Sequence, residues 1–115
     1  MAKIIGKAYI GIDTGTHTGV AIWGSGQFFL LETMAIHKAM EIVNEYVQSG
    51  IEVVVRVEDP RQRTWFGTER MSREQERKKL QGVGSVKRDA SIWDDFLSDL
   101  CKTKRNVKYE MVAPK

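Results

Sequence analysis

The segment YIGIDTGTHTGVAIW, residues 9–23, constrains the fold of this chain more than any other part of the sequence. An apolar run ends at Asp13, a loop of Thr, Gly and His follows, and a second apolar run begins at Val20. This pattern predicts a β-hairpin whose first strand is buried and ends in a carboxylate. A bare carboxylate is costly to bury unless it is paired or binds a metal. Metal nucleases, phosphate-handling ATPases and aspartic proteases are the classes that accept this cost.

The rest of the chain extends this hairpin into a larger sheet. GSGQ predicts a tight turn, FFLLETM a third strand, and the apolar spacing from Ile36 to Val47 an amphipathic helix that ends at Gly50. Fourth and fifth strands are predicted at 51–59 and 106–114, with a second amphipathic helix over 86–100 between them. Residues 61–84 are expected to be part helix and part loop. The order β-β-β-α-β-α-β predicts one α/β domain over 1–115, a five-stranded mixed sheet with helices packed on its faces.

Charge and cysteine content narrow the class of protein further. The net charge is +3, but residues 56–90 hold ten Lys or Arg against six Asp or Glu. Such a window predicts a polyanionic partner, although a solvated helix with i,i+4 ion pairs would also explain part of it. The single cysteine, Cys101, excludes an internal disulfide and is typical of a reducing cytoplasm. No apolar run is long enough to span a membrane.

Two acids end two predicted strands. Strands 1 and 4 are expected to be parallel neighbours at the centre of the sheet, so Asp13 and Glu58 should converge at its carboxyl edge, where ligand sites of α/β sheets lie. Two carboxylates in close proximity repel each other unless a cation lies between them. Their oxygens suit Mg²⁺ or Mn²⁺, and a pair of such ions can activate water and stabilise the leaving oxygen in phosphodiester hydrolysis. The acids and the basic window together predict a metal nuclease.

Four segments in order carry a resemblance to a known family: GIDTGTHTGVAIW, VVVRVEDPRQRTWFG, GVGSVKRDASIWDDFL and YEMVAPK. The chain resembles the short, phage-type RuvC-like Holliday junction resolvases of the ribonuclease H-like superfamily. The resemblance implies a ribonuclease H-like fold and Mg²⁺- or Mn²⁺-dependent endonuclease activity on branched DNA. It also implies that Asp13 and Glu58 are the catalytic acids and metal ligands. A homodimer is expected because a two-fold junction needs two sites, and a phage-encoded enzyme would act in the host cytoplasm.

One part of the family pattern has no counterpart in these residues. The resemblance implies one or more further acids on a helix after the fifth strand, commonly in a His-x-x-Asp or His-x-Arg-Asp-Ala setting. No His or Asp follows Asp99 in this sequence. The expectation is therefore a domain over 1–115 without that helix, in which the second metal ion is poorly held.

Basic and aromatic residues near the predicted acids are candidates for nucleic-acid contacts. Arg61 and Arg63 follow strand 4, and Lys87 and Arg88 begin the second amphipathic helix, so all four are candidate phosphate contacts. Trp65 lies in RQRTWFG, where basic and aromatic residues alternate. It could stack on or wedge between bases, and an exposed aromatic residue could equally form a dimer contact.

Several alternatives compete with the nuclease hypothesis. Asp13 could simply cap the turn through its side chain. Sugar-kinase-type ATPases have a similar first loop but need two domains, and retroviral-type proteases share the triplet DTG but are nearly all β. A short ribosomal-RNA-processing nuclease of the same superfamily has a similar hairpin, although Glu58 favours the resolvase branch. A catalytically incomplete nucleic-acid-binding domain of the same fold also remains open.

Overall fold

The fold is described from a computed structural model that covers the backbone of residues 6–15, 17–62 and 73–114. Within the last range, side chains are described from Lys87 onward. The chain forms five strands, two α-helices and one 3₁₀ turn. The strands are β1 (Lys7–Asp13), β2 (His17–Gly24), β3 (Gln27–Ala35), β4 (Glu52–Glu58) and β5 (Val107–Val112). The helices are α1 (Ile36–Gln48) and α2 (Arg73–Thr103), and the 3₁₀ turn is Pro60–Gln62.

The strands form one mixed sheet in the order β3-β2-β1-β4-β5. The first three strands are antiparallel, whereas β1 pairs with β4 and β4 with β5 in parallel. The predicted α/β fold and element order are confirmed, and the topology is consistent with a ribonuclease H-like fold. The prediction that strands 1 and 4 are parallel neighbours is also confirmed. The carboxyl ends of β1 and β4 therefore lie side by side at the middle of the sheet.

Residues with positive φ lie at two reversals of the backbone, the β2–β3 turn and the end of α1. Ser25 and Gly26 connect β2 to β3, and both have positive φ, at 50° and 78°. Two positive φ values in a two-residue loop match the right-handed twist of a hairpin, which explains the predicted tight turn. Helix α1 ends at Gln48, and Gly50 follows with φ 89°. A left-handed residue at this position is the common way to end a helix, and glycine adopts it without a steric penalty.

The hydrophobic core lies on one face of the sheet. Alternate residues of the central strands are buried, including Ile10 and Ile12 on β1 and Val55 and Val57 on β4. They share a single cluster with Ala39, Val43, Tyr46 and Val47 of α1 and with Trp93 and Leu97 of α2. Because both helices pack against the same set of strand residues, both cover the same face. The opposite face, called here the open face, carries no helix among the described residues.

The open face differs in character from one end to the other. Tyr9, Trp23 and Phe28 lie side by side across three strands, with ring centroids 5.9 and 6.3 Å apart. All three are exposed. Asp13 lies four residues further along β1, at the other end of the same face. The open face is therefore aromatic at one end and acidic at the other.

Helix α2 is longer than the sequence predicted. Its backbone is continuous from Arg73 to Thr103 and passes through Gly82 and Gly84, where a loop was expected within 61–84. Packing of the carboxyl-terminal half of the helix against the sheet outweighs the cost of about 1 kcal/mol for each helical glycine. Among the described residues, no helix is long and apolar enough to cross a membrane.

Candidate active site

The two predicted acids are direct neighbours. Asp13 is the last residue of β1 and Glu58 the last residue of β4, and the two are register partners in the parallel ladder. Neighbouring strands are about 4.8 Å apart, so the two side chains leave the sheet at adjacent points. Both are out of phase with the buried residues of their strands, and both project from the open face. Asp13 is exposed and Glu58 half-buried, so a ligand can reach both carboxylates.

The loop after β1 ties the two acid-bearing strand ends together. The hydroxyl of Thr14 donates a hydrogen bond of 3.0 Å to the backbone carbonyl of Glu58. The buried hydroxyl of Thr18 donates one of 3.1 Å to the carbonyl of Gly15 and closes the loop. Thr14 and Thr18 thus have specific structural roles in the hairpin.

A broad trough of about 780 Å³ lies on the open face and reaches the acid pair. Its floor is low because Gly11, Gly19 and Ala21 place little or no side chain there. Gly19 is the cross-strand partner of Asp13, and a Cβ at Gly19 would lie 3.2 Å from the Cβ of Asp13. Gly19 therefore leaves the space that the Asp13 side chain occupies, a role that sequence analysis did not assign to it.

Replacing Gly19 with alanine is expected to weaken Mn²⁺ binding roughly tenfold, because the new methyl group displaces the Asp13 carboxylate by a few tenths of an ångström. The matched control is Gly11→Ala on the same face, where a Cβ would meet only the Cβ of Ala21 at 4.0 Å, an ordinary contact. Manganese titrations followed by electron paramagnetic resonance would compare the two variants. Equal affinities in both would contradict this role for Gly19.

Arg56 is the cation that lines the trough in the described part of the chain. It lies two residues before Glu58 on β4, so its side chain projects from the same face. Its Nε donates to Oε1 of Glu110 at 2.8 Å, and the two side chains are 67% and 52% exposed. Exposed ion pairs contribute only about 0–1 kcal/mol, so this pairing leaves the guanidinium free to exchange partners at little cost. Sequence analysis counted Arg56 in the basic window but did not nominate it as a contact.

Arg61, which the sequence predicted to contact phosphate, is engaged within the chain. Its Nε and Nη2 donate to the two carboxylate oxygens of Asp59 at 2.8 and 2.9 Å. Its backbone N–H also donates to Asp59 at 3.0 Å. Asp59 is buried, with 3% of its surface exposed, whereas the Arg61 side chain is 31% exposed, so this fork-to-carboxylate pair is buried on its acidic side. The Arg61 guanidinium holds the pKa of Asp59 below its usual range, and Asp59 in turn raises the pKa of Arg61.

The Asp59–Arg61 pair also connects β4 to α2 and β5. Arg61 donates from Nη1 to Ser91 at 3.1 Å and from Nη2 to Asp94 at 3.2 Å. The hydroxyl of Tyr109 on β5 donates to the other oxygen of Asp94 at 2.7 Å, and this bond raises the pKa of Tyr109. The network thus fixes the chain immediately after Glu58 against two neighbouring elements.

Asp59→Asn is expected to lower the free energy of unfolding by about 1–2 kcal/mol at pH 7, because a charge-assisted pair becomes a neutral one. Since the folded pKa of Asp59 is lowered, the stabilisation is present above the usual carboxyl range near pH 4. It is lost as the pH falls through the folded pKa. Urea unfolding at pH 7 and pH 3 should therefore show a gap between wild type and variant that narrows at pH 3. A gap of constant size would contradict this account of the pair.

Of the other predicted nucleic-acid contacts, the two that the structure describes, Lys87 and Arg88, do not line the trough. Arg63 and Trp65 fall outside the described residues. Lys87 and Arg88 are exposed and belong to α2, on the side of the sheet that the helices cover. Lys87 lies one helical turn before Ser91, which contacts Arg61. The structure therefore brings together the two acids, while the described basic candidates lie around or behind them.

The donor set at the strand ends suits a divalent cation that is completed by its substrate. Among the described side chains, no group of three or more His, Cys, Asp or Glu is assembled that could hold a metal ion. Asp13 and Glu58 supply two hard carboxylate ligands at adjacent strand ends, and Glu32 of β3 is a further carboxylate that lines the trough. Mg²⁺ is commonly held by one or two carboxylates together with water and substrate phosphates, so the pair fits such an ion. Either Mg²⁺ or Mn²⁺ is compatible with all-oxygen ligation.

Comparisons with known proteins add no family assignment. No family model matches the chain, and neither curated proteins nor solved structures yielded a match. The function therefore has to be argued from the sheet topology, the acid pair and the groups around it.

Proposed function

We propose that this protein is a Mg²⁺- or Mn²⁺-dependent endonuclease that hydrolyses phosphodiester bonds in branched DNA, in the manner of RuvC-like junction resolvases. One observation carries the proposal. Asp13 and Glu58 are register partners at the carboxyl ends of adjacent parallel strands, and both face an open trough. Carboxylates on adjacent strand ends disfavour each other's charge unless a cation lies between them, so the pair favours a divalent cation.

The residues at this site would have distinct roles. Asp13 and Glu58 would hold the cation, Thr14 fixes the spacing of the two strand ends, and Gly19 keeps space for the Asp13 side chain. A bound divalent cation supplies Lewis-acid activation of water and stabilises charge on the phosphate oxygens. The trough is open to solvent, and its small floor residues would allow a nucleic acid backbone to approach the acids.

Features beyond the acid pair favour DNA as the substrate class. The window 56–90, which includes and follows the end of β4 in the sequence, carries a positive excess that would attract a polyanion. The topology is consistent with the ribonuclease H-like superfamily, and the four segments quoted above favour its resolvase branch. Paired nicks in a two-fold junction need two sites, so the active species is proposed to be a homodimer. Its proposed location is the cytoplasm of a bacterial host.

The proposal is tested on a labelled four-way junction incubated with the protein and Mn²⁺ and resolved on native and denaturing gels. A linear duplex with the same arm sequences is the substrate control, and EDTA is the metal control. The expected result is symmetric nicks in the junction and not in the duplex, and only when Mn²⁺ is present. A shifted band without nicks would favour the catalytically incomplete binding domain. Equal cutting of the duplex, or no binding and no nicks, would contradict the proposal.

A further inference from the structure

We propose that the two arginines beside Glu58 have different roles: Arg61 is a positioning residue that holds Glu58 in place, and Arg56 contacts a phosphate of the substrate strand. This inference rests on the proposed function and deepens it. It also replaces the sequence-based expectation that Arg61 contacts phosphate. The two guanidinium groups differ in the acceptors that they bind within the chain.

Each guanidinium nitrogen of Arg61 donates at least one hydrogen bond within the chain. Nε, Nη1 and Nη2 all donate, and their acceptors belong to Asp59, Ser91 and Asp94. A phosphate could bind the Nε–Nη2 edge of Arg61 through two parallel hydrogen bonds only by displacing Asp59, whose side chain is 4% exposed. That displacement would leave a buried carboxylate without its counter-ion, which is strongly unfavourable. Arg61 therefore stabilises the fold around the site rather than the substrate.

The Asp59–Arg61 pair lies next to Glu58 in the chain, so it also restrains Glu58. Asp59 directly follows Glu58, and its backbone N–H donates to the carbonyl of Val112 on β5 at 2.6 Å. On the other side, Thr14 donates to the carbonyl of Glu58 itself. The peptide group that joins Glu58 to Asp59 is thus held at both its carbonyl and its N–H. Such support matters because a metal-binding carboxylate must be held within about 0.5 Å of its working position.

Arg56 has the opposite arrangement. It forms an ion pair with Glu110 on the exposed surface, and it lines the trough that leads to the acids. Its register partner on β1 is Gly11, which places no side chain between Arg56 and the trough floor. A planar guanidinium at this place can bind a phosphate through two parallel hydrogen bonds. A DNA strand lying in the trough would therefore place one phosphate at Arg56, next to the phosphodiester bond that lies at the acid pair.

The test compares the full-length wild type with Arg61→Gln and Arg56→Gln in two measurements that do not depend on cleavage. Mn²⁺ affinity is measured by electron paramagnetic resonance without DNA. Affinity for the four-way junction is measured in EDTA over a series of NaCl concentrations. Arg61→Gln is expected to weaken Mn²⁺ binding about tenfold and to leave the salt dependence of junction binding unchanged. Arg56→Gln is expected to leave Mn²⁺ binding unchanged and to reduce the slope of log K against log salt by about 1.

A second Arg61 variant keeps the test decisive if Arg61→Gln does not fold, as checked by circular dichroism. Arg61→Lys retains the positive charge but cannot reach Asp59 and Asp94 together with a rigid fork. A positioning role predicts weakened Mn²⁺ binding in this variant as well. Wild-type Mn²⁺ affinity in Arg61→Lys, or a reduced salt slope in Arg61→Gln, would overturn the role of Arg61. A wild-type salt slope in Arg56→Gln would overturn the role of Arg56.

Failure of this inference is distinguishable from failure of the proposed function. If the wild type binds Mn²⁺ and the junction but never nicks it, the nuclease proposal fails. The two binding measurements would still assign the arginines. If nicking occurs and the binding measurements show the reverse pattern, the nuclease proposal survives and the assignment of the arginines falls.

Discussion

Replacing Asp13 with asparagine is expected to reduce Mn²⁺-dependent nicking of a four-way junction by at least about a hundredfold. Asparagine preserves the shape of the side chain but removes the negative charge that attracts the cation. Loss of groups that merely orient metal ligands typically costs 10- to 100-fold, so loss of a ligand should cost no less. Single-turnover nicking rates at saturating protein would measure the effect. Asp95→Asn, the same change at an exposed position on α2, should behave like wild type.

The same reasoning gives a sharper comparison within one strand. Glu58 and Glu52 are the last and first residues of β4, and both project from the open face. Glu58→Gln should therefore lose nicking as Asp13→Asn does, whereas Glu52→Gln should retain it. Nicking that survives in Glu58→Gln, or that falls equally in both variants, would mean that the reaction does not take place at this end of the sheet.

The largest effect on stability is expected for Trp93→Ala, which should lower the free energy of unfolding by about 3–5 kcal/mol. Trp93 is fully buried, and its ring meets Phe96 edge-on with centroids 5.8 Å apart. Alanine would leave a cavity at the centre of the contact between α2 and the sheet. For a domain with a total stability of about 5–15 kcal/mol, this is a large fraction. Urea unfolding followed by circular dichroism would measure the change.

Two controls separate packing from other effects of the Trp93 change. Ile92, the next residue on α2, is 41% exposed, so Ile92→Ala should cost well under about 1 kcal/mol. The indole Nε1 of Trp93 has no hydrogen-bond partner among the described residues. Trp93→Phe therefore removes no polar contact and should cost less than Trp93→Ala. If Trp93→Ala were no more destabilising than Ile92→Ala, the description of this core would be wrong.

The sheet and the acid pair could be predicted because their signals are local and periodic. Alternating or continuous apolar runs that end at Asp13 and Glu58 mark two strand ends, and the order β-β-β-α-β-α-β predicts strands 1 and 4 as parallel neighbours in a mixed sheet. The helical spacing from Ile36 to Val47 predicted the buried face of α1. These features depend on side-chain polarity along a single stretch of chain, which the sequence displays directly.

The remaining features depend on contacts between distant residues. Arg61 was predicted to contact phosphate because it follows Glu58, but beside its pairing with Asp59 it is held by Ser91 and Asp94, which lie 30 and 33 residues further along the chain. Gly19 matters through its distance from Asp13, which only the register of β1 and β2 reveals. The continuity of α2 through Gly82 and Gly84 depends on tertiary packing that overrides local propensity. Each of these misses is a case in which the three-dimensional neighbour, and not the sequence neighbour, determines the role.

The most direct test of the central hypothesis is a Mn²⁺ titration of the wild type, Asp13→Asn and Glu58→Gln, followed by electron paramagnetic resonance. The hypothesis is that Asp13 and Glu58 together hold a divalent cation at the end of the trough. It predicts saturable Mn²⁺ binding by the wild type that is lost in each single variant, because one remaining carboxylate is too weak a site. Wild-type protein that binds no Mn²⁺, or variants that bind it as well as the wild type, would contradict the hypothesis.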